Sequence, residues 1–427
     1  MKAPTGFRHF RNRRPATDEQ VAQVLARPGF GRHFTDHMVT VEFDRGHGWH
    51  DAAVRPHKPL SMPPGTAVFH YGQAIFEGLK AYRQPDGSVA CFRPDMNATR
   101  FRASARRLAM PELPEETFLT SLAELLALDE RWVPAGEGKS LYLRPLMVST
   151  CVGLSVAPSD EYLYILIASP VSSYFSSGAS PVTVWLSHEY VRAAPGGTGA
   201  AKCAGNYGAA FIAQQQATEH GCDQVVWLDS AEHRWVEEMG GMNLFFVFGS
   251  GSSARVVTPE LTGSILPGVT RDSLLRLARD DGYEVAERRI SVGEWEKTAA
   301  SGELTEVFAC GTAAVVTPVG KVRHADGEMT IGEGQPGPVT AQLRRRLSAI
   351  QTGAAPDPHG WMRTLLPYAG QGGEWPVSGR PRRSLGAARD RRDRRRCPGG
   401  AQQPRQPGDR RLGEQDPQRQ VPAEALT

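Results

Sequence analysis

Apolar and polar residues alternate along Met38-Val39-Thr40-Val41-Glu42-Phe43, which is the period of a half-buried strand. Val68 to Tyr71 predicts a second short strand. Ala81-Tyr82-Arg83 and Val89-Ala90-Cys91-Phe92 flank Asp86-Gly87, a hairpin signal. The pattern from Asp95 to Leu108 predicts a helix with Asp95 as its cap. Thr117 to Trp132 predicts an amphipathic helix with Leu119, Leu122, Leu125, Leu126 and Trp132 on one side. Strands are predicted at Leu141–Met147 and Tyr162–Ala168. Pro170 to Ala179 is rich in Ser and Gly and reads as a joint. Beyond it lie strand patterns at Pro181–Leu186, Gln224–Leu228 and Asn243–Phe248. Helices are expected over Tyr207–His220, from Gly268 to Ala278, and over Val339–Ile350. Val307 to Val316 reads as a strand broken by Gly311-Thr312. The pattern predicts an α/β (α+β) protein of two domains without internal repeats. A loose arm is expected at 1–30, a small α/β domain at 31–177, an interdomain loop at 178–190 and a large domain at 191–365.

Composition changes the picture only at the C-terminus. The chain has 427 residues, 40% hydrophobic and 22% charged, as a globular body requires. Its net charge is +3. Residues 366–427 hold 13 Arg, no Lys and 7 acidic residues, or +6, so the rest carries 3 − 6 = −3. The body is therefore not expected to bind nucleic acid. The tail is rich in Gly, Pro, Gln and Arg and has too few aliphatic residues to offset the entropy of ordering, so disorder is expected. It reads either as an acid- or RNA-binding arm or as a solvated appendage from a shifted reading frame. The second is preferred, because charge runs are ordinarily solvated. The six cysteines form no Cys-x-x-Cys pair, and the histidines lack ligand spacing, so no metal is expected. No apolar run reaches about 18 residues and the basic N-terminus lacks an apolar core, so the expectation is a cytoplasmic protein without a membrane span.

Four separated segments carry candidate chemistry. Gly196-Gly197-Thr198-Gly199-Ala200-Ala201-Lys202-Cys203-Ala204-Gly205-Asn206-Tyr207-Gly208 sets one lysine among small residues. Desolvation turns such an amine into a nucleophile, and glycine lets backbone close around a flat ligand. Val236-Glu237-Glu238-Met239-Gly240-Gly241 places carboxylates before a turn, where one could meet a pyridinium nitrogen. Ile265-Leu266-Pro267-Gly268-Val269-Thr270 offers N–H groups and a hydroxyl at a helix start, an anion site. Cys310-Gly311-Thr312-Ala313-Ala314 offers another small-residue turn. Each has an ordinary structural reading too: a flexible loop, a solvated acidic turn, a plain helix start, a packed turn.

Taken in order, these segments resemble the branched-chain amino-acid aminotransferases, pyridoxal-phosphate enzymes of fold-type IV. Phe34-Thr35-Asp36-His37-Met38, Tyr71-Gly72-Gln73-Ala74-Ile75-Phe76-Glu77-Gly78-Leu79-Lys80, Tyr142-Leu143-Arg144-Pro145 and His359-Gly360-Trp361-Met362 extend the resemblance over roughly Phe30 to Met362. It implies a two-domain fold-type IV enzyme and pyridoxal 5'-phosphate as cofactor. The implied activity is reversible ping-pong amino transfer between leucine, isoleucine or valine and 2-oxoglutarate, in a homodimer.

Residue by residue, the resemblance implies Lys202 as the Schiff-base lysine and proton carrier. It implies Glu238 as the partner of the pyridine nitrogen, with Glu237 second, and Tyr207 on the ring oxygen. Arg100, Val269, Thr270 and Thr312 would bind the phosphate. Tyr71, Phe76 and Tyr142, joined by Tyr174, would line the side-chain pocket, although core packing is the ordinary fate of such aromatics. Arg144 would orient 2-oxoglutarate, and Ala313 and Ala314 would present N–H groups to the α-carboxylate. A D-amino-acid transaminase or aminodeoxychorismate lyase on the same scaffold is the alternative. The Tyr142 and Glu238 segments argue against both.

Overall fold

A computed structural model describes residues 6–172 and 180–367. The expected tail beyond residue 367, most of the expected joint and Tyr174 lie outside the described residues, while Leu366, placed at the start of that tail, belongs to a strand. The first sheet contains β1 (Arg8–His9), β2 (His37–Asp44), β3 (Gly48–Pro56), β4 (Ala74–Phe76), β5 (Leu79–Arg83), β6 (Val89–Phe92), β7 (Ser140–Ser149) and β8 (Glu161–Val171). Its order is β1-β3-β2-β8-β7-β5-β6, with β4 also on β7, and Met362–Leu366 completes it beside β6. Two long helices cover it, α3 (Pro94–Arg107) and α4 (Glu115–Asp129), after the shorter α1 (Asp18–Ala26) and α2 (Ala67–Tyr71). Leu119, Leu122, Leu125 and Leu126 of α4 join Leu141, Leu143, Tyr164 and Leu166 in one buried cluster, so the predicted apolar stripe is the buried one.

The second sheet contains β9 (Val182–Leu186), β10 (Gln224–Leu228), β11 (Val236–Met239), β12 (Met242–Phe248), β13 (Arg255–Thr258), β14 (Glu284–Glu287), β15 (Leu304–Gly311), β16 (Val315–His324) and β17 (Gly327–Thr330). Its order is β11-β10-β9-β16-β15-β12-β13-β14. Because β11 pairs with β12 as well as β10, the strands from β11 round to β12 close on themselves. The helices of this half are α5 (Gly205–Gly208), α6 (Phe211–Glu219), α7 (Val269–Asp280), α8 (Val292–Ser301) and α9 (Pro338–Gln351). Apolar residues of α7 and α9, including Leu274, Leu277, Leu343 and Leu347, pack with Phe245, Val247 and Phe308 of the sheet.

Three local expectations change. Residues 6–30, read as loosely held, carry β1 and α1. Thr17 caps α1 with a reciprocal capping box to Gln20. Val68–Tyr71 is not a strand but the body of α2, ended by Gly72 in the left-handed region at φ 63. Asp95 is not the cap of α3. Arg93 holds that place at φ 48, Pro94 starts the helix, and Asp95 sits in its first turn.

Candidate active site

The Lys202 segment is fixed by its backbone. Arg107, at the end of α3, donates to the carbonyls of Gly197 at 3.1 Å and Gly196 at 2.8 Å. Lys202 N–H donates to Ser104 Oγ at 2.9 Å. Phe76 N–H donates to the Lys202 carbonyl at 3.0 Å, and Ala204 N–H to Ala74 O at 3.0 Å. The segment thus lies beside β4 of the first sheet while belonging to the second half of the chain. Glycine is required at 199, where a Cβ would meet Ser264 O at 2.1 Å. With the backbone fixed, Lys202 extends into a cavity of about 440 Å³. Its Nζ donates to Tyr207 Oη at 3.0 Å and lies 5.1 Å from the Phe76 ring centre. Tyr207 and Phe76 themselves pack with ring centres 4.9 Å apart.

Glu237 and Glu238 are both buried, and they project to opposite faces of β11 as strand geometry demands. Glu238 Oε1 accepts Leu266 N–H at 2.7 Å and Asn243 Nδ2 at 3.2 Å. Its Oε2 faces Arg192 Nε at 2.8 Å. Arg192 also donates to the carbonyls of Ser264 and Gly199, each at 3.1 Å. One guanidinium therefore ties the carboxylate to the loop that carries Lys202. Burial raises Glu238 above the ordinary carboxylate range, while Arg192 and the Leu266 N–H oppose it. Glu237 accepts a hydrogen bond from Ser264 Oγ. Burial pushes it up to about 7, and Glu238 adds to the push.

Gly268 stands immediately before α7, where a Cβ would meet Asn243 Oδ1 at 2.1 Å. The first N–H groups of this helix, at Val269 and Thr270, have no partner within the helix. Arg100 reaches the same end from α3, with Nη1 on Pro267 O at 3.1 Å. Its Nε and Nη2 bind both oxygens of Glu77 at 2.7 and 2.9 Å. Glu77 is fully buried. Burial works to raise its carboxyl, but Arg100, Lys202 and Asn97 hold it below the usual range. Across the cavity, Thr312-Ala313-Ala314 turns β15 into β16, and none of its N–H groups meets an acceptor among the described residues.

Most of the predicted residues come together on this cavity. Lys202, Tyr207, Arg100, Val269, Thr270 and Thr312 line it, as do Phe76, Tyr142, Arg144 and Ala313. Arg144 donates to Tyr142 Oη at 3.1 Å, and its guanidinium lies 4.7 Å from the Phe76 ring centre. Glu238 stands behind the wall, presented through Asn243 and Leu266, which line it. Two predicted residues stand apart from the cavity of the single chain. Tyr71 does not line it: helical geometry in α2 turns it outward, where it is 39% exposed and donates to Leu154 O. Ala314 does not line it either, because the turn presents Thr312 and Ala313.

Residues 74–322 match the protein family described as amino-transferase class IV. The chain belongs to the class IV aminotransferases. A branched-chain-amino-acid aminotransferase of Mycolicibacterium smegmatis is 62% identical over 85% of this chain and 99% of its own. One from Mycobacterium tuberculosis is 59% identical over 82% and 96%. Among solved structures, the Escherichia coli branched-chain amino acid aminotransferase superposes with a TM-score of 0.64 at 28% identity, over 77% of this chain and 99% of that one. The T.th. branched-chain amino acid aminotransferase, complexed with N-(5'-phosphopyridoxyl)-L-glutamate, gives 0.61 at 28% identity, over 76% and 98%. In this aminotransferase, Arg192, Glu77, Asn243 and Ser104 complete the site without having been singled out from sequence. Glu77 carried a signal, a lone carboxylate between Phe76 and Gly78. Arg192 and Ser104 carried none, because their partners are distant in the chain.

Proposed function

We propose that this aminotransferase holds pyridoxal 5'-phosphate on Lys202 and exchanges amino groups between leucine, isoleucine or valine and 2-oxoglutarate. The observation that carries the proposal is Lys202 itself. It enters a cavity bounded by Phe76 and Tyr207, with no carboxylate ion pair among the described residues. The donor set suits the cofactor. Arg100 and the free N–H groups of α7 offer a phosphate site, Tyr207 Oη a partner for the ring oxygen, and Glu238 a negative charge behind the cavity wall. When bound, the cofactor stores the amino group between half-reactions and withdraws electrons from the substrate carbon.

The chain's own groups do the remaining work. Lys202 Nζ, oriented by Tyr207 Oη, takes and returns the proton at the substrate α-carbon. Arg192 keeps Glu238 in place against the desolvation it suffers. The Thr312–Ala313 turn offers N–H donors to the α-carboxylate. Phe76 and Tyr142 bound an apolar space for a branched side chain, and Arg144 at its edge supplies a cation for the distal carboxylate of 2-oxoglutarate. The names of the curated relatives support the branched-chain substrates and favour them over a D-amino acid.

We further propose a homodimer, supported by an exposed apolar patch of Phe69, Tyr71, Val152, Leu154 and Val156. The test of the activity is direct. Purified protein with pyridoxal phosphate should absorb in the visible and transaminate leucine with 2-oxoglutarate. Lys202→Ala should lose both. A wild-type protein that stays colourless with the cofactor would overturn the reading.

A further inference from the structure

Lys80 is a second lysine at the site, and the chemistry above does not use it. It lies on β5 of the first sheet and is 6% exposed. Among the described residues it has no ion-pair partner. The charge that acts on it is another cation, Arg344 of α9, whose Nη1 donates to Val316 O at 3.2 Å. Burying an unpaired ammonium is expensive, and burial, with Arg344 adding, pulls Lys80 down to about 8. Among the described residues its side chain makes one hydrogen bond, and that bond crosses between the sheets: Nζ donates to Ala313 O at 2.9 Å.

That carbonyl belongs to an unusual turn. Val315, where the turn enters β16, has φ 63. This is a left-handed conformation that a β-branched residue rarely adopts, and it persists only where neighbours enforce it. Thr312 and Ala313 face the cavity with free N–H groups, whereas Lys80 does not line that cavity. Instead, Lys80 shares a small neighbouring void with Thr312 and Thr270. Lys80 therefore grips the turn from behind, on the side away from substrate.

We propose that Lys80 is a positioning residue for substrate recognition. By pinning the Ala313 carbonyl from the opposite sheet, it holds the strained Thr312–Val315 turn with its N–H groups toward the cavity, where they bind the substrate α-carboxylate. This role rests on the reading of the turn given under the proposed function. It predicts a selective defect, in carboxylate recognition and not in cofactor retention or in the chemistry at Lys202.

The test uses the cofactor-loaded enzyme and the variants Lys80→Met and Lys80→Arg. Steady-state kinetics measures leucine and 2-oxoglutarate. Spectral titration compares 4-methylvalerate, a carboxylate without an amine, with 3-methylbutylamine, an amine without a carboxylate. Lys80→Met should keep the visible absorbance of the wild type. Its KM for leucine and its dissociation constant for 4-methylvalerate should rise about tenfold or more, with kcat within about threefold and amine binding unchanged. Lys80→Arg keeps a charged donor and should stay within about threefold of wild type throughout. Should Lys80→Met not fold, Lys80→Gln, which retains an N–H donor, should show the same selective defect in smaller measure. Equal weakening of acid and amine, or loss of the absorbance alone, would mark a merely structural lysine and overturn the inference, as would unchanged carboxylate affinity. A wild-type enzyme that binds 3-methylbutylamine but neither leucine nor 4-methylvalerate would instead overturn the reading of the turn itself.

Discussion

Glu77→Gln asks whether the partly buried Arg100 is held ready for a phosphate. Glu77 is fully buried and takes Arg100 on both oxygens at 2.7 and 2.9 Å, with Asn97 Nδ2 at 2.7 Å. The amide preserves the shape but removes the charge, and its NH₂ sets donor against donor. Two unit charges about 4 Å apart in an effective dielectric of about 20 interact by about 4 kcal/mol. Breaking a buried pair on one side costs a comparable 3–5 kcal/mol, roughly. That is a large part of a domain's stability of about 5–15 kcal/mol. Arg100 also touches Pro267 O at the start of α7, so a phosphate bound there would return the missing negative charge. The loss should therefore shrink when phosphate is present, by about 1.5–3 kcal/mol, the worth of hydrogen bonds to a charged group. Urea denaturation of the cofactor-free wild type and variant, with and without inorganic phosphate or pyridoxal phosphate, measures both quantities. By linkage the variant should also bind phosphate more tightly by the same free energy. A gap between the two proteins that is equal with and without phosphate would refute the assignment of Arg100 to the phosphate.

The pH dependence of stability should contain a contribution from Glu237. Its folded pKa of about 7 lies above the ordinary 4.5, so its contribution is fully present below about pH 4.5 and is lost as pH rises through 7. Glu237→Gln should therefore gain on the wild type by about 3 kcal/mol between pH 5 and 8, and a pH-independent difference in denaturation midpoint would contradict the burial argument. The apolar patch around α2 should be covered in the native assembly. Leu154 is 68% and Val156 87% exposed in the single chain, so Leu154→Glu with Val156→Glu should convert a dimer into monomers in light scattering, whereas a wild type already monomeric at micromolar concentration ends the dimer proposal.

What was legible in the sequence was local. The strand at Met38–Phe43, the Asp86-Gly87 turn and the leucine stripe of α4 encode their structure within a few residues and all form, although Met38 to Val41 are buried on both faces of the sheet and not on one alone. The glycines at 199 and 268 were legible only as small residues near a ligand; what the structure requires there is close approach of the chain to itself, to Ser264 O at 199 and to Asn243 Oδ1 at 268. What stayed hidden depends on partners far away in the chain. Glu238 meets Arg192 across two helices and a strand of the chain, and Glu77 meets Arg100 across two strands. Neither pairing has a period or a spacing. Val68-Phe69-His70-Tyr71 misled because four residues hold too few positions to separate a strand from one turn of helix. Gly72, which ends α2 at φ 63, was read only as part of a motif.

Met362–Leu366, here β18, lies against β6 with Met362 opposite Phe92, a separation of 362 − 92 = 270 residues. Arg93 N–H meanwhile donates to the carbonyl of Trp361, just before that strand. Until Met362–Leu366 has been synthesised, the first sheet has β6 as an open edge, with unsatisfied N–H and C=O groups. The part of the chain translated first is thus among the last to be finished. A nascent polypeptide carries this unguarded edge through the making of the whole second sheet, which makes the closing strand a timing element in biosynthesis as well as a structural one.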